Sequence, residues 1–371
     1  MQNFIFKKKS LKMTSLFIVF DAGARLETDG MHGTMHLMEH LVCKTFKDLY
    51  EKLTELGIVW NAYTSTECVI VYFSGLDKYL TNELKKELYL RITGGIDCVD
   101  ENEFECERNV VLQEYMDNVF DSERASWMQV MRRWWGDYMA IGKQSDIESF
   151  THSDMLRIYN ERFTRPSRIV EVGRTKTDFF NTVDFKETEP NASILKFKRR
   201  KGFPDVCVSS DDKTSVFLFS KRRVSARDYP YLSVGLEMLS SGLESPFYKE
   251  LREKLGLTYY VLGDVLCSHD QGVMYVNACT DADNTEKLKA KIAELADNAK
   301  SYMTEERFNT VISKLKIQRE MDEAVLYKDP WRYVSISKMK MPSSFKGVSY
   351  KKVLETTLKY FSDTALVTID D

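Results

Sequence analysis

The chain has 371 residues, 43% of them apolar, which is enough for about two domains with sizeable cores and too apolar for general disorder. Its net charge of −3 argues against a dedicated nucleic-acid binder or a protein held on an anionic membrane, and apolar runs such as Leu16 to Phe20 are too short to span a bilayer. Seven scattered cysteines without C-x-x-C spacing suit a reducing compartment and mostly buried thiols. Met1 to Lys9 carries its charge after its apolar residues, the reverse of a secretory signal, so the expected location is cytoplasmic.

Ser15 to Phe20 reads as a buried strand, followed by a loop from Gly23 to Gly33. Thr34 is positioned to cap a helix running to about Phe46, with a helical pattern continuing to Leu56 and a stop at Gly57. Residues 58–65 and 67–75 read as paired strands, and 78–92 as an amphipathic helix closed by Gly94-Gly95. A glutamate-rich helix follows over 101–118, with Phe104, Val111, Leu112 and Tyr115 at helical spacing. Residues 153–163 form a helix ended near Pro166, and 168–173 a strand. The polar stretch that begins at Lys176 and includes Lys198-Arg199-Arg200-Lys201 reads as a solvated connection. The expected division is a domain over 1–185, a linker over 186–205 and a second domain over 206–371.

The second half repeats the first in coarse order. A strand (215–219) leads to helices (229–240 and 246–254), a strand pair (258–267 and 271–279) and two further helices (284–302 and 305–325). The shared order implies two related halves of an α+β fold.

The most informative stretch is His36-Leu37-Met38-Glu39-His40. Three of the five histidines (His32, His36, His40) lie within nine residues. His36 and His40 are one helical turn apart on one face, and Glu39 shares that face. The order H-x-x-E-H is the inverted form of a zinc-peptidase motif. A catalytic zinc takes three protein ligands and keeps one position open. The glutamate-rich helix can supply the third, because Glu107 and Glu114 are two turns apart and share a face. One would bind the metal and the other would hydrogen-bond a ligand from behind; spacing does not say which. Cys43, one turn beyond His40, is the alternative donor that would close a structural site. His32 reads as a loop residue, and His152 and His269 as surface or capping residues.

The stretches Gly23-Ala24-Arg25-Leu26-Glu27 and Gly33 to His40, with Phe104 to Glu114 downstream, resemble the pitrilysin/insulysin family of zinc metallopeptidases, which includes the mitochondrial processing peptidase. Asn61-Ala62-Tyr63-Thr64-Ser65 is similar to the family strand beside the metal, and Leu251 to Tyr259 to its Arg and Tyr pair. The resemblance covers roughly residues 15 to 300 and implies two related α/β-sandwich domains with antiparallel-rich sheets and helices on one face. It implies one Zn2+ per chain on His36, His40 and Glu114, with Glu107 supporting the ligands and Glu39 as general base. It implies substrate contacts from Asn61 and Ala62, and from Arg252 and Tyr259 in the second domain. The implied activity is hydrolysis of extended or unfolded polypeptides by a homodimer or a pair with a related chain; charge and the short apolar runs add the expectation of no nucleic-acid or membrane partner. A non-catalytic scaffold or assembly subunit is the alternative, disfavoured because all four metal-site residues are present.

Overall fold

β-branched and aromatic runs such as Ser15 to Phe20 and Val69 to Phe73 form the central strands. The computed structural model describes residues 2–6, 12–136, 138–173, 177–183, 213–267, 270–325, 331–335, 337–342 and 344–370. The linker expected at 186–205 and His269 lie outside the described residues. The first elements are β1 (Gln2–Phe6), β2 (Met13–Phe20), α1 (Thr34–Lys44), α2 (Tyr50–Glu55), β3 (Val59–Thr64), β4 (Val69–Leu76), α3 (Asn82–Thr93), α4 (Glu101–Phe120), α5 (Ser122–Trp135), α6 (Gln144–Ile147), α7 (His152–Arg162) and β5 (Arg168–Gly173). They are followed by β6 (Lys213–Ser220), β7 (Val224–Ser225), α8 (Tyr229–Ser240), α9 (Pro246–Tyr248), β8 (Leu262–Cys267), β9 (Gln271–Asp281), α10 (Thr285–Asp297), α11 (Ala299–Tyr302), α12 (Glu305–Ala324), α13 (Trp331–Val334), α14 (Tyr350–Phe361) and β10 (Thr364–Asp370).

The chain forms two compact units. One comprises Met1–Asn118, Met131–Arg199 and Glu320–Ser335, the other Val119–Val130, Arg200–Arg319 and Ile336–Asp371. The first holds a five-stranded sheet in the order β1-β5-β2-β4-β3, antiparallel except for the β1–β5 pair. Its central strands are buried on both faces, which is why they read as continuous apolar runs rather than alternating ones. On one face Phe17, Val19, Ile70, Tyr72, Val170 and Val172 cluster with Val334 of α13. On the other, Phe20 meets Phe163 at the end of α7 (ring centroids 5.0 Å) and Phe73 meets Phe46 (5.3 Å). α1 lies against β3 and β4.

The second unit has the order β10-β6-β9-β7, with β8 also paired to β9, antiparallel throughout. The series β5-β2-β4-β3 and β10-β6-β9-β8 match strand for strand, so the α+β repeat is present in the topology. Trp127 of α5 belongs to this unit and packs edge-on against Phe217 and Tyr275, with ring centroids at 5.1 and 4.8 Å.

Three expectations need correction. α1 ends at Lys44 rather than near Phe46, because the chain must turn for Phe46 to enter the core beside Trp60 and Phe73. A short 3₁₀ turn, Lys47–Leu49, separates α1 from α2. The strand expected from Thr258 begins only at Leu262, after a left-handed turn at Gly256 (φ +60°). Of the described cysteines Cys68 is buried, Cys43, Cys267 and Cys279 are half-buried, and Cys98 and Cys106 are exposed, so full burial is not the rule. No helix among the described residues is long and apolar enough to cross a membrane.

Candidate metal centre

The helix that carries the histidines is preceded by Gly33, whose φ of +105° makes glycine the compatible residue there. Thr34, expected as the cap, is instead the first helical residue, and its hydroxyl donates to Met31 O at 2.9 Å. The capping group comes from the preceding loop. The buried Glu27 carboxylate accepts the Gly33 N–H at 3.0 Å, the Met35 N–H at 2.8 Å and the Thr34 hydroxyl at 3.4 Å. These oxygens satisfy N–H groups that the first turn of a helix leaves without an intrahelical partner. Burial nonetheless pushes the Glu27 carboxyl up to about 8, against these donors.

Leu37, Met38, Leu41 and Val42 are fully buried, anchoring α1 and leaving His36, Glu39 and His40 half-buried. The buried positions of α4 are Phe104, Glu107, Val111 and Tyr115, so a glutamate interrupts an otherwise apolar stripe. A carboxylate on a packing face needs partners. Glu107 has two: His40 Nδ1 lies 3.0 Å from Oε2, and Lys44 Nζ lies 2.6 Å from Oε1. The His40 bond leads in holding the Glu107 carboxyl down at about 2, with Lys44 assisting against the cost of burial. Burial acts to lower the His40 imidazole, but Glu107 and the charges of Glu114 and Glu39 outweigh it and raise it.

With Nδ1 of His40 engaged, its Nε2 is left to face Glu114. Glu114 Oε1 is 3.7 Å from that atom, and Glu114 Oε2 is 3.3 Å from His36 Nε2. The His36 contact, ahead of the His40 charge, draws the Glu114 carboxyl below the usual range. One donor atom from each of His36, His40 and Glu114 lies within 4.8 Å of the others, and this is the one such group among the described residues. Tetrahedral zinc with bonds of about 2.0–2.1 Å separates its donors by about 3.4 Å, so the donor set fits that ion in kind and in spacing. His36 Nδ1 is buried without a protein partner among the described residues.

Glu39 stands outside the donor group. Its Oε2 accepts the Thr64 hydroxyl at 2.6 Å. Cys43 also stands outside it, and burial pushes its thiol up, away from the thiolate a metal would need. Asn61 and Ala62 lie in β3, the edge strand of the sheet, where Asn61 Oδ1 accepts the Ala62 N–H at 2.9 Å. Arg252 and Tyr259 belong to the second unit and pair with each other. The guanidinium lies 4.5 Å from the Tyr259 ring centroid and 4.9 Å from that of Tyr248, and Tyr259 is 77% exposed. His32 is a buried partner of Asp146 (2.9 Å), and His152 begins α7 beside Glu101 (3.4 Å).

Sequence reasoning did not single out Glu27, Lys44 or Thr64. Lys44 carried a usable signal, since it sits one turn after His40 on the same helix. Glu27 and Thr64 fall inside stretches that carry the resemblance, but they act across loops and strands, where no periodicity points to the partner.

Residues 4–132 match the family model described as insulinase (peptidase family M16), and residues 175–315 match the one described as peptidase M16 inactive domain. An uncharacterized zinc protease of Mycobacterium leprae is 24% identical over 291 residues, which span 72% of this chain but only 64% of that protein. The uncharacterized zinc protease YmxG of Bacillus subtilis is 22% identical over 303 residues, 77% of this chain and 73% of that one. A protease from Helicobacter pylori has a similar fold, with a TM-score of 0.78 at 18% identity over 100% of this chain and 96% of that one. The chain therefore belongs to the insulinase family of peptidases, family M16.

Proposed function

We propose that this chain is a zinc metalloendopeptidase that hydrolyses peptide bonds in extended or unfolded polypeptides. His36, His40 and Glu114 would hold one Zn2+ per chain. A bound Zn2+ lowers the pKa of its water to about 7 and polarises a carbonyl. Glu39, outside the donor set, takes the proton at its carboxylate and passes it to the leaving amine. Glu107 keeps His40 in the tautomer whose Nε2 is free, and Lys44 keeps Glu107 in place. The peptide adds as a strand along the outer side of β3, which among the described residues pairs only with β4, and the Ala62 N–H exchanges its Asn61 Oδ1 acceptor for a substrate carbonyl. Main-chain pairing of this kind suits extended substrates of varied sequence. By family resemblance, Arg252 and Tyr259 donate to a substrate carbonyl, and the chain works as a homodimer or with a related partner.

The observation that carries the reading is the convergence of His36, His40 and Glu114 with Glu39 held apart. The test is cleavage of an unfolded polypeptide, abolished by a chelator and restored by zinc. Glu39→Gln is expected to keep zinc and lose hydrolysis, and His40→Ala to lose both. Zinc binding by a wild-type chain that cleaves nothing would refute the reading in favour of a scaffold subunit.

A further inference from the structure

We propose that Thr64 is the positioning residue for Glu39: its hydroxyl holds the carboxylate where a proton can be collected. The inference rests on the peptidase reading above and assigns a residue it leaves out. Thr64 Oγ1 donates to Glu39 Oε2 at 2.6 Å, within the range of charge-assisted O–H···O⁻ bonds, and its next acceptor, Met35 O, is at 3.4 Å. Among the described residues Glu39 has no other hydrogen-bond partner, so this bond fixes one oxygen and leaves Oε1 for the proton. A glutamate side chain has three rotatable bonds, and one short hydrogen bond is the economical means of restricting it.

The donor suits the task. Thr64 is the last residue of β3, paired with Val69 of β4, so its backbone belongs to the sheet. A β-branched side chain is stiff at χ1, and its hydroxyl points in a set direction. β3 is also the edge strand along which the substrate is proposed to pair. One strand therefore sets the position of the peptide and of the base, and their separation follows from strand geometry. A purely structural reading makes Thr64 a tie between β3 and α1. That reading predicts loss of stability or metal when the hydroxyl is removed, and no particular effect on turnover.

The experiment compares Thr64→Val, Thr64→Ser, Glu39→Gln and wild type for zinc per chain, kcat and KM on an unfolded polypeptide. Valine keeps the shape and the strand preference and removes the donor. Misplacing a reacting group by about 1 Å costs about 100-fold, so kcat of Thr64→Val is expected to fall about 10- to 100-fold with KM and zinc content unchanged. Thr64→Ser is expected to recover most of kcat. Native kcat in Thr64→Val, a loss confined to KM, loss of zinc, or a serine variant as impaired as valine overturns the assignment. If wild type cleaves and Glu39→Gln does not, any of those results sinks the Thr64 assignment alone. Absence of wild-type cleavage overturns the peptidase reading and this assignment with it.

Discussion

Replacing Glu107 with glutamine tests the metal centre without touching a proposed ligand. In the native site both carboxylate oxygens accept: Oε2 from His40 Nδ1 at 3.0 Å, and Oε1 from Lys44 Nζ at 2.6 Å. An amide has one acceptor and one donor end. Either orientation leaves one of the two native donors facing an N–H group. If the amide oxygen turns to Lys44, His40 Nδ1 loses its acceptor and its Nε2 is no longer set toward Glu114. If it turns to His40, the Lys44 ammonium loses its acceptor, and the negative charge that made the histidine a better donor is gone in both cases. A buried group stripped of its partner costs about 1–3 kcal/mol. Losing the partner behind a metal-binding histidine lowers affinity about 10- to 100-fold, about 1.4 to 2.8 kcal/mol. The first is a cost to folding and the second a cost to metal binding, so zinc affinity of Glu107→Gln, measured by competition with a chromophoric chelator, is expected to fall by one to two decades (about 10- to 100-fold). Glu114→Gln should lose more, because it alters a donor itself. A Glu107→Gln protein that binds zinc within about twofold of wild type would show that the carboxylate behind His40 is packing and not support.

Three further outcomes follow from the same unit. Lys85 and Glu171 form a fully buried ion pair, so Lys85→Met strands a charge and is expected to cost about 3–5 kcal/mol in urea unfolding, most of it recovered in Lys85→Met/Glu171→Leu; a single-variant loss under about 1 kcal/mol counts against this. The Glu27 carboxyl is raised from 4.5 to about 8 in the folded chain, so the native state holds the extra proton. Its contribution is complete below the unfolded value and is lost as pH rises toward the folded one, by up to about 1.4 kcal/mol per pH unit. Glu27→Gln should remove that slope, and identical pH profiles of stability for the two proteins would contradict it. A Cβ at Gly23 would lie 2.3 Å from the Glu67 carbonyl carbon, whereas one at Gly30 meets nothing within 4 Å. Gly23→Ala is therefore expected to lower the melting temperature far more than Gly30→Ala, whose cost is the left-handed backbone alone, about 1–2 kcal/mol.

How much of this was legible without coordinates depended on the range of each interaction. His36, Glu39 and His40 share one helix face, and so do Glu107 and Glu114, because a 3.6-residue period links side chains close in sequence. The α+β repeat was legible for a similar reason: strands, helices and their order are local patterns, and the matching series β5-β2-β4-β3 and β10-β6-β9-β8 follows from them. What spacing left open was the choice between the two glutamates, since both lie on the face of α4 toward α1. The coordinates separate them by distance, with Glu114 beside both Nε2 atoms and Glu107 behind His40.

The interactions that were not legible are those made between elements by residues outside any repeat. Glu27 caps α1 from a loop, in place of a threonine that sat at the expected position. Thr64 reaches Glu39 across 25 residues, from a strand to a helix. α14 and β10 lie beyond the last matched motif, yet β10 pairs along β6 over seven residue pairs and forms an edge of the second sheet. These share a physical cause. A helix face shows which side chains gather, but the position of a helix against a sheet comes from core packing, and packing sites such as Phe46 between Trp60 and Phe73 have no signature beyond being apolar. Candidate donors and a carboxylate behind one of them could therefore be proposed from the sequence, whereas Lys44 beside Glu107, Thr64 beside Glu39 and Glu27 at the start of α1 emerge only from the packed fold.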